Sequence, residues 1–415
     1  MPSSSPARAG IAPVTVVMML TLLLGLQPIT TDLYLPALPL LQRELSASLA
    51  TAQLTLSALI FCFGAGQLVC GPLADRFGRR PVLLAGMALY TVASVFSALS
   101  TSIDALVAWR AVQGAAMASA VTCGRSAVRD LFLPHEGARV MSRALTGLGV
   151  IAMLCPVVGA ALAQGCGWPA ALMATALFGA GTLAFVALRF VETVPRLNPQ
   201  AMQLRPLLRN WGMVLRNPTF RAWVALLCCT YGGLFFLLAG SSFVFIDVLG
   251  TSPLAYGAIL ATNSMAYIAG TWLCRHLLLR HGLRGAVKRG AWFSLGGGLS
   301  MAALSLAGVE SVWAIMLPQW LFAIGHGVHQ PCGQVGALGP FPDKAGTAAS
   351  LSGFAMMLTA FGVGQWLGHT LGRSVLPMTL GIGLFSMMLA TVAWTLIQRH
   401  GEPTARATPM AAQAG

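Results

Sequence analysis

Charge is scarce in this chain: 9% of its 415 residues are charged, and only 11 of those are acids. Soluble domains carry about 25% charged residues, so a composition this poor in charge excludes the soluble globular classes. The acids are too scattered to pair within one segment, which removes two-carboxylate acid–base chemistry. No segment sets a nucleophile beside a base either, so a membrane-embedded enzyme or a receptor is a disfavoured reading. The nine cysteines (Cys62, Cys70, Cys123, Cys155, Cys166, Cys228, Cys229, Cys274 and Cys332) show no metal-ligand spacing. They read as small, soft packing residues, and no metal or other cofactor is expected. A cleavage signal is missing too: Arg8 precedes an apolar run from Ile11 to Leu26, but no small-residue site follows Gln27. That run is therefore read as a first membrane span.

What is abundant is apolar surface, at 56% hydrophobic residues and a mean hydropathy of +0.76. At about 20 apolar residues per spanning helix, the runs predict twelve spans: 12–35, 50–74, 82–100, 104–128, 141–164, 168–190, 221–246, 254–275, 288–307, 312–334, 346–371 and 376–397. Threaded this way, nearly all basic residues from Arg76 to Arg399 fall on one side, and the other side has Arg43 and Arg373. This is the positive-inside asymmetry, which places both termini in the cytoplasm. It also accounts for the net charge of +14 without nucleic acid as a partner. Arginine far outnumbers lysine, as in chains from GC-rich bacteria, and the expected location is a bacterial cytoplasmic membrane.

The expected organisation is a disordered N-terminus at 1–11, a six-helix bundle at 12–190, a linker at 191–220, a second six-helix bundle at 221–398 and a disordered tail at 399–415. In the linker, Leu204, Leu207, Leu208, Trp211 and Leu215 recur at helical spacing on one arc, while Arg205, Arg209 and Arg216 occupy another. That pattern predicts an amphipathic helix lying on an anionic leaflet and strapping the halves together.

The densest charge in the chain is Gly71-Pro72-Leu73-Ala74-Asp75-Arg76-Phe77-Gly78-Arg79-Arg80, a short turn between the second and third spans. It resembles the signature loop G-x-L-x-D-R-x-G-R-[RK] of major facilitator superfamily transporters. Thr31-Asp32-Leu33-Tyr34-Leu35-Pro36 closing the first span, Arg110-Ala111-Val112-Gln113-Gly114 in the fourth, Arg129-Asp130-Leu131-Phe132 after it and Ala345-Gly346-Thr347-Ala348 opening the eleventh add to the likeness. Together they resemble the drug:proton antiporters, and among these the Bcr/CflA multidrug-efflux subfamily. The resemblance implies an all-α polytopic fold of two six-helix bundles, working by alternating access. Two departures stand out. Leu154-Cys155-Pro156-Val157-Val158-Gly159-Ala160 keeps only the proline and one glycine of the family's antiporter helix. The loop between spans 8 and 9, with Arg275, Arg280, Gly282, Arg284 and Lys288, has lost its acid.

Four groups of residues are candidates for function. Asp32, Arg110 and Gln113 form the first, because an ionisable group inside a membrane is costly and therefore a functional candidate. Arg110 shares a helical face with Gln113 and Gly114 and needs Asp32, backbone carbonyls or an anionic ligand as partner. Asp32 reads equally as a turn residue before Pro36, and Arg110 as a structural buttress. Gly71, Asp75, Arg76, Gly78, Arg79, Arg80 and Arg129 form a conformational lock. Asp75 ends a helix, where the dipole disfavours its charge, and is expected to be compensated across the halves near Ala345 and Gly346; a solvated topology loop is the plain alternative. The third group follows the 7-4-4 spacing of Gln319, His326, Gln330 and Gln334, one polar stripe with His329 at its edge. With Asn263, Tyr267, Tyr231, Phe235, Phe236, Trp320 and Phe61 it predicts a substrate cavity, although each aromatic taken singly also fits core packing. Pro156 and Gly159 are expected to bend and closely pack span 5 against span 8.

These readings point to a transporter of the major facilitator type that exports a small amphipathic molecule in exchange for protons. Its partners would be that solute, protons and membrane lipids, and the chain is expected to work as a monomer. Proton-coupled uptake is the alternative within transport.

Overall fold

The computed structural model of the chain describes residues 13–132, 134–194, 197–372 and 374–402. Of the terminal segments expected to be disordered, 1–11 and 403–415 lie outside the described residues, as do Arg196 and Arg373; the start of the expected 399–415 tail is ordered instead, a last helix running to His400. Among the described residues every regular element is helical. The first half holds α1 (Pro13–Thr31), a 3-10 turn (Leu35–Ala37), α2 (Leu38–Glu44), α3 (Leu49–Phe77), α4 (Arg79–Ala98), α5 (Ile103–Leu131), α6 (Pro134–Cys166) and α7 (Trp168–Arg189). Then come α8 (Leu204–Arg216), α9 (Pro218–Ser242) with a π-helical turn at Phe243–Val248, α10 (Pro253–Leu306), α11 (Val312–Leu338), α12 (Ala345–Thr370), α13 (Leu376–Trp394) and α14 (Leu396–His400).

Twelve membrane helices result once α1 and α2 are joined and α10 is divided at Gly282, whose φ of 63° and ψ of −174° break the run. Eight of them are long and apolar enough by composition alone to cross a membrane. Of the remaining four, α5, the first part of α10 and α11 carry the buried Arg110, Gln113, Asn263, Gln319, His326 and His329 described below, and the second part of α10 is rich in glycine. The expected loop at 276–287 is helical apart from that glycine. Both helices run on past their apolar stretches because Leu277–Leu279 and Ala286–Lys288 are ordinary helix formers. Span 5 likewise starts earlier than expected, at Pro134 rather than 141.

Serine opens the second and fourth span of each half. Ser48, Ser102, Ser252 and Ser311 each accept the N–H three residues on, at 3.1, 3.3, 3.2 and 3.1 Å. Such caps satisfy a helix-end donor and contribute about 1 kcal/mol each. They sit at the end of the molecule away from the basic loops.

Within the first half α1 packs on α5, α6 and α7, and α3 on α4 and α5; in the second, α10 packs on α11 and α13, and α9 on α11, α12 and α13. The halves join along two seams, α3 with α12 and α6 with α10. Backbone-level approach makes the second seam: a β-carbon at Gly257 of α10 would lie 2.5 Å from the Pro156 carbonyl oxygen. Gly159, expected to face span 8, instead faces the Leu33 carbonyl at the end of the first span. Its neighbour Gly147 meets Thr21 of α1, and no atom lies within 4 Å of a β-carbon built on Gly149. The close contact with span 8 therefore comes from a glycine on the other helix. Polar groups also cross between the halves at the end opposite the basic loops. Arg43 pairs with Asp247 of the π turn, and Gln53 Nε2 donates to the Ala239 carbonyl at 2.5 Å.

Candidate functional site

The first half buries one guanidinium at its centre. Arg110 on α5 is fully buried, and a buried charge persists only where its donors are met. NH1 donates to Gln113 Oε1 at 2.7 Å and NH2 to the Thr30 carbonyl at 3.0 Å. The Tyr34 ring covers its Cζ at 4.4 Å, a cation–π contact of the desolvated kind. The shell around these partners is closed in turn. Gln113 Nε2 donates to Ser94 Oγ at 2.6 Å, Thr30 Oγ1 and Tyr90 OH lie 2.6 Å apart, and Tyr34 OH and Thr55 Oγ1 2.7 Å apart. Only Nε of Arg110 lacks a partner.

The Thr30 carbonyl can accept from Arg110 because α1 ends at Thr31 and the Tyr34 N–H, which would meet it if the helix continued, turns to the Thr31 carbonyl instead, at 3.2 Å. There Asp32 N and Leu33 N both turn back to the Pro28 carbonyl, at 2.7 and 3.4 Å. Asp32 follows directly. It forms no ion pair with Arg110, so of the partners expected for the arginine the structure selects a backbone carbonyl. Asp32 Oδ1 accepts from Thr31 Oγ1 at 2.7 Å, and the residue is half-buried. Its carboxyl lies within electrostatic reach of Cys155 on α6, Tyr231 on α9 and Tyr256 on α10. It therefore sits where both halves meet, one turn of chain from a satisfied cation.

The second half has a polar centre without charge. Gln319 Nε2 on α11 donates to Asn263 Oδ1 on α10 at 3.3 Å, and Trp320 Nε1 to Thr262 Oγ1 at 2.9 Å. One face further along, His326 Nδ1 lies 2.9 Å from Thr230 Oγ1 of α9, and its ring is 5.5 Å from that of Tyr267. His329, the edge of the predicted stripe, turns into the bundle toward Ser294 and the Val287 carbonyl. Oε1 of Gln319 and of Gln330 are buried without partners; Gln334 is half-buried. Tyr231 stacks on Phe235 at 6.3 Å. Phe61 is not brought to this group: it packs across the first seam on Phe361 and Phe354 of α12, at 5.1 and 6.3 Å.

The charged turn folds around an acid that the sequence reading passed over. Asp75 Oδ1 accepts from Arg79 NH1 at 2.5 Å, and Arg79 Nε donates to Asp130 Oδ2 at 3.1 Å. Glu192, three residues beyond α7, takes the backbone N–H of Arg79 at 2.9 Å and of Arg80 at 3.1 Å. Gly78 between them has φ 102°, and a β-carbon there would strike Glu192. Burial acts to raise the Glu192 carboxyl, but the backbone donors of Val194, Arg79, Arg80 and Thr193 outweigh it and hold it below its ordinary value. Asp75 is thus compensated within its own half, four residues away, instead of at the start of α12. Arg129 does reach that start: its NH1 is 3.6 Å from a β-carbon position on Gly346. Arg76 lies over Phe77, 5.2 Å from the ring centre, and Arg80 NH2 donates to the Ala187 carbonyl at 3.1 Å. Glu192 was the harder residue to find. Its one signal is position, an acid just past a span in a chain that has few.

Comparison with known proteins places this architecture. The chain is 31% identical over 257 residues to an MFS-type transporter, YdgK, of Bacillus subtilis, a match covering 61% of this chain and 64% of that protein, just under two thirds of its length. It is 29% identical to a chloramphenicol resistance protein of Pseudomonas aeruginosa, covering 77% of this chain and 75% of the other. Against multidrug resistance protein D of Escherichia coli the identity is 28%, with 82% and 85% covered. Among solved structures, a D-xylose-proton symporter superimposes with a TM-score of 0.72 at 17% identity, over 92% of this chain and 97% of that one, which shows the shared fold. The Major Facilitator Superfamily profile matches residues 20–364, and with twelve helices in two bundles meeting along paired seams, the chain belongs to that superfamily of multi-pass membrane transporters.

Proposed function

We propose that this protein exports a small amphipathic molecule across the bacterial cytoplasmic membrane in exchange for protons, as a monomer and by alternating access. The observation that carries this reading is Asp32, a half-buried carboxyl at the junction of the halves with no cation paired to it. A group so placed can take up a proton when the site faces one side and give it up when the site faces the other. Arg110 keeps its charge occupied elsewhere and so leaves Asp32 free to exchange. The uncharged centre around Gln319, Asn263, His326 and Gln330 offers hydrogen bonds and aromatic surface to a solute, and the two orphan amide oxygens are acceptors awaiting a donor.

Direction follows from two supports. The positive-inside asymmetry puts the basic loops and both termini in the cytoplasm, so the contacts of Arg43 and Gln53 across the halves close the outer end. Resistance to drugs, which gives two of the relatives their names, is the outcome that export would produce here as well. Uptake by symport uses the same fold and is separated by one experiment. In proteoliposomes with an imposed pH gradient, the protein is expected to move solute opposite to the proton flow, and Asp32→Asn to bind solute without accumulating it against a gradient, since the amide keeps the shape but carries no proton. Solute moving with the protons would establish uptake, and full uphill transport by the Asn variant would remove Asp32 from the mechanism. A single cysteine at position 43, labelled only by reagents outside the cell, is the expected result for the orientation.

A further inference from the structure

Away from the transport path, a cavity of about 360 Å³ opens between the linker helix α8 and the start of α12. Arg205, Pro206, Arg209, Asn210, Met213 and Lys344 line it. Three of these six described residues are cations. No ion pair of the described residues includes any of the three. Lys344 is one of only two lysines in the chain, and it occupies the position just before α12, where the helix dipole opposes a positive charge. Its ammonium group is held there by Asn210 Oδ1 at 2.9 Å, with Met213 Sδ at 3.3 Å, neither of which neutralises it. The first turn of α12 contains no acidic residue and has no side-chain cap.

We infer that this cavity binds a phosphoryl group. Arg205, Arg209 and Met213 follow one another at four-residue spacing and so share one face of α8, with Lys344 opposite. That arrangement sets two forked guanidinium groups and an ammonium around one space, the donor set suited to a phosphate's several oxygens and two negative charges. Three like charges around one space repel one another, and a phosphoryl group removes the repulsion. The rest of α8 bears on where that group comes from. Leu204, Leu208 and Leu215 are 71%, 57% and 50% exposed and lie on a different face from the two arginines. If that face rests in the bilayer, the cavity opens to the water beyond it. A soluble phosphate compound and an anionic phospholipid headgroup share the required chemistry, and the experiment distinguishes them.

The full chain in phosphatidylcholine nanodiscs would be titrated calorimetrically with pyrophosphate. In parallel, nanodiscs doped with phosphatidylglycerol would be used to measure how much of that lipid the protein retains on extraction. Binding in at least one arm is expected, with Arg209→Gln and Lys344→Gln each weakening it about tenfold. Arg280→Gln, which removes one charge from an exposed position elsewhere, is the control and should leave binding unchanged. Pyrophosphate binding alone identifies a soluble ligand, and retention of phosphatidylglycerol alone identifies a lipid. The inference is overturned if neither probe binds, or if Arg280→Gln weakens binding as much as the cavity variants do. Melting temperatures of the variants without ligand, expected to stay near the parent's, separate lost binding from lost structure.

Discussion

The two halves are built on one plan and differ at its centre. Counting from the serine that caps the fourth span of each half, the eighth residue is Arg110 in the first and Gln319 in the second. The arginine has drawn around itself a carbonyl, an amide, an aromatic face and a second ring of hydroxyls. The glutamine has a single side-chain partner, Asn263, and an orphan oxygen. A charge buried in the membrane forces its neighbours into fixed places, whereas a neutral amide leaves some of its capacity unused. On the proposed function this divides the labour: a rigid half that carries the proton site beside its arginine, and a half with hydrogen-bonding capacity left for a solute.

The comparison breaks first on stability. Arg110→Ala strands the Thr30 carbonyl and Gln113 Oε1 in the interior, each at about 1–3 kcal/mol, so a loss of about 3 kcal/mol or more is expected. Gln319→Leu removes an oxygen that was already unsatisfied and strands a single acceptor, Asn263 Oδ1, so a smaller loss of about 1–2 kcal/mol is expected. Thermal unfolding of both variants in the same detergent checks this, and equal losses would dissolve the distinction between the halves.

The division of labour is sharpened by selectivity. His326→Leu and Gln330→Leu are expected to reorder a panel of solutes by about 10- to 100-fold for the most polar ones, because a hydrogen-bonding site rejects what cannot satisfy it. Uphill coupling to the pH gradient should survive in both. Transport rates over polar and apolar compounds are the measurement; an unchanged ranking would make these residues packing between helices.

The smallest effect concerns the basic loops, where the halves also correspond. Gly78 and Gly282 both have positive φ, and in each half an acid beyond the sixth span returns to the arginine two residues after that glycine. Glu192 accepts the Arg80 N–H, and Glu402 pairs with Arg284 at 2.8 Å. Because the folded Glu192 carboxyl lies below its unfolded value, its contribution is present at neutral pH and is lost as pH falls through the folded value. Wild type is therefore expected to melt a few degrees above Glu192→Gln at pH 7 and to converge with it in acid. A difference that does not shrink as the pH is lowered through the acid range would assign the effect to something other than the carboxylate.

Much of this was legible beforehand for reasons that differ by residue. Twelve spans and the linker helix follow from length and periodicity, since a membrane allows few alternatives to a helix. Arg110 and Gln113 could be placed on one face from spacing alone. Their partners could not, because the Thr30 carbonyl becomes available only where α1 ends and the Tyr34 N–H turns to Thr31, and no side-chain pattern records a carbonyl. The stripe in α11 was read as one surface, yet its 7-4-4 spacing fixes only the direction from the helix axis. Which neighbour each residue meets depends on α9 and α10, so Gln319 turns to Asn263 while His326 turns to Thr230. Asp75 was sent across the halves because the sequence gives no sign that Arg79 folds back past Gly78.

The ion pair between Arg43 and Asp247 joins two charges across the halves, and both are accessible to solvent. Its strength is therefore set by the medium that bathes it. The screening length is about 10 Å at 0.1 M salt and about 30 Å at 0.01 M, so a dilute surrounding holds this closure more firmly than a concentrated one. In the proposed orientation, with that end outward, the ease with which the carrier opens to the exterior would depend on the salinity of the habitat, a variable over which the cell has no control.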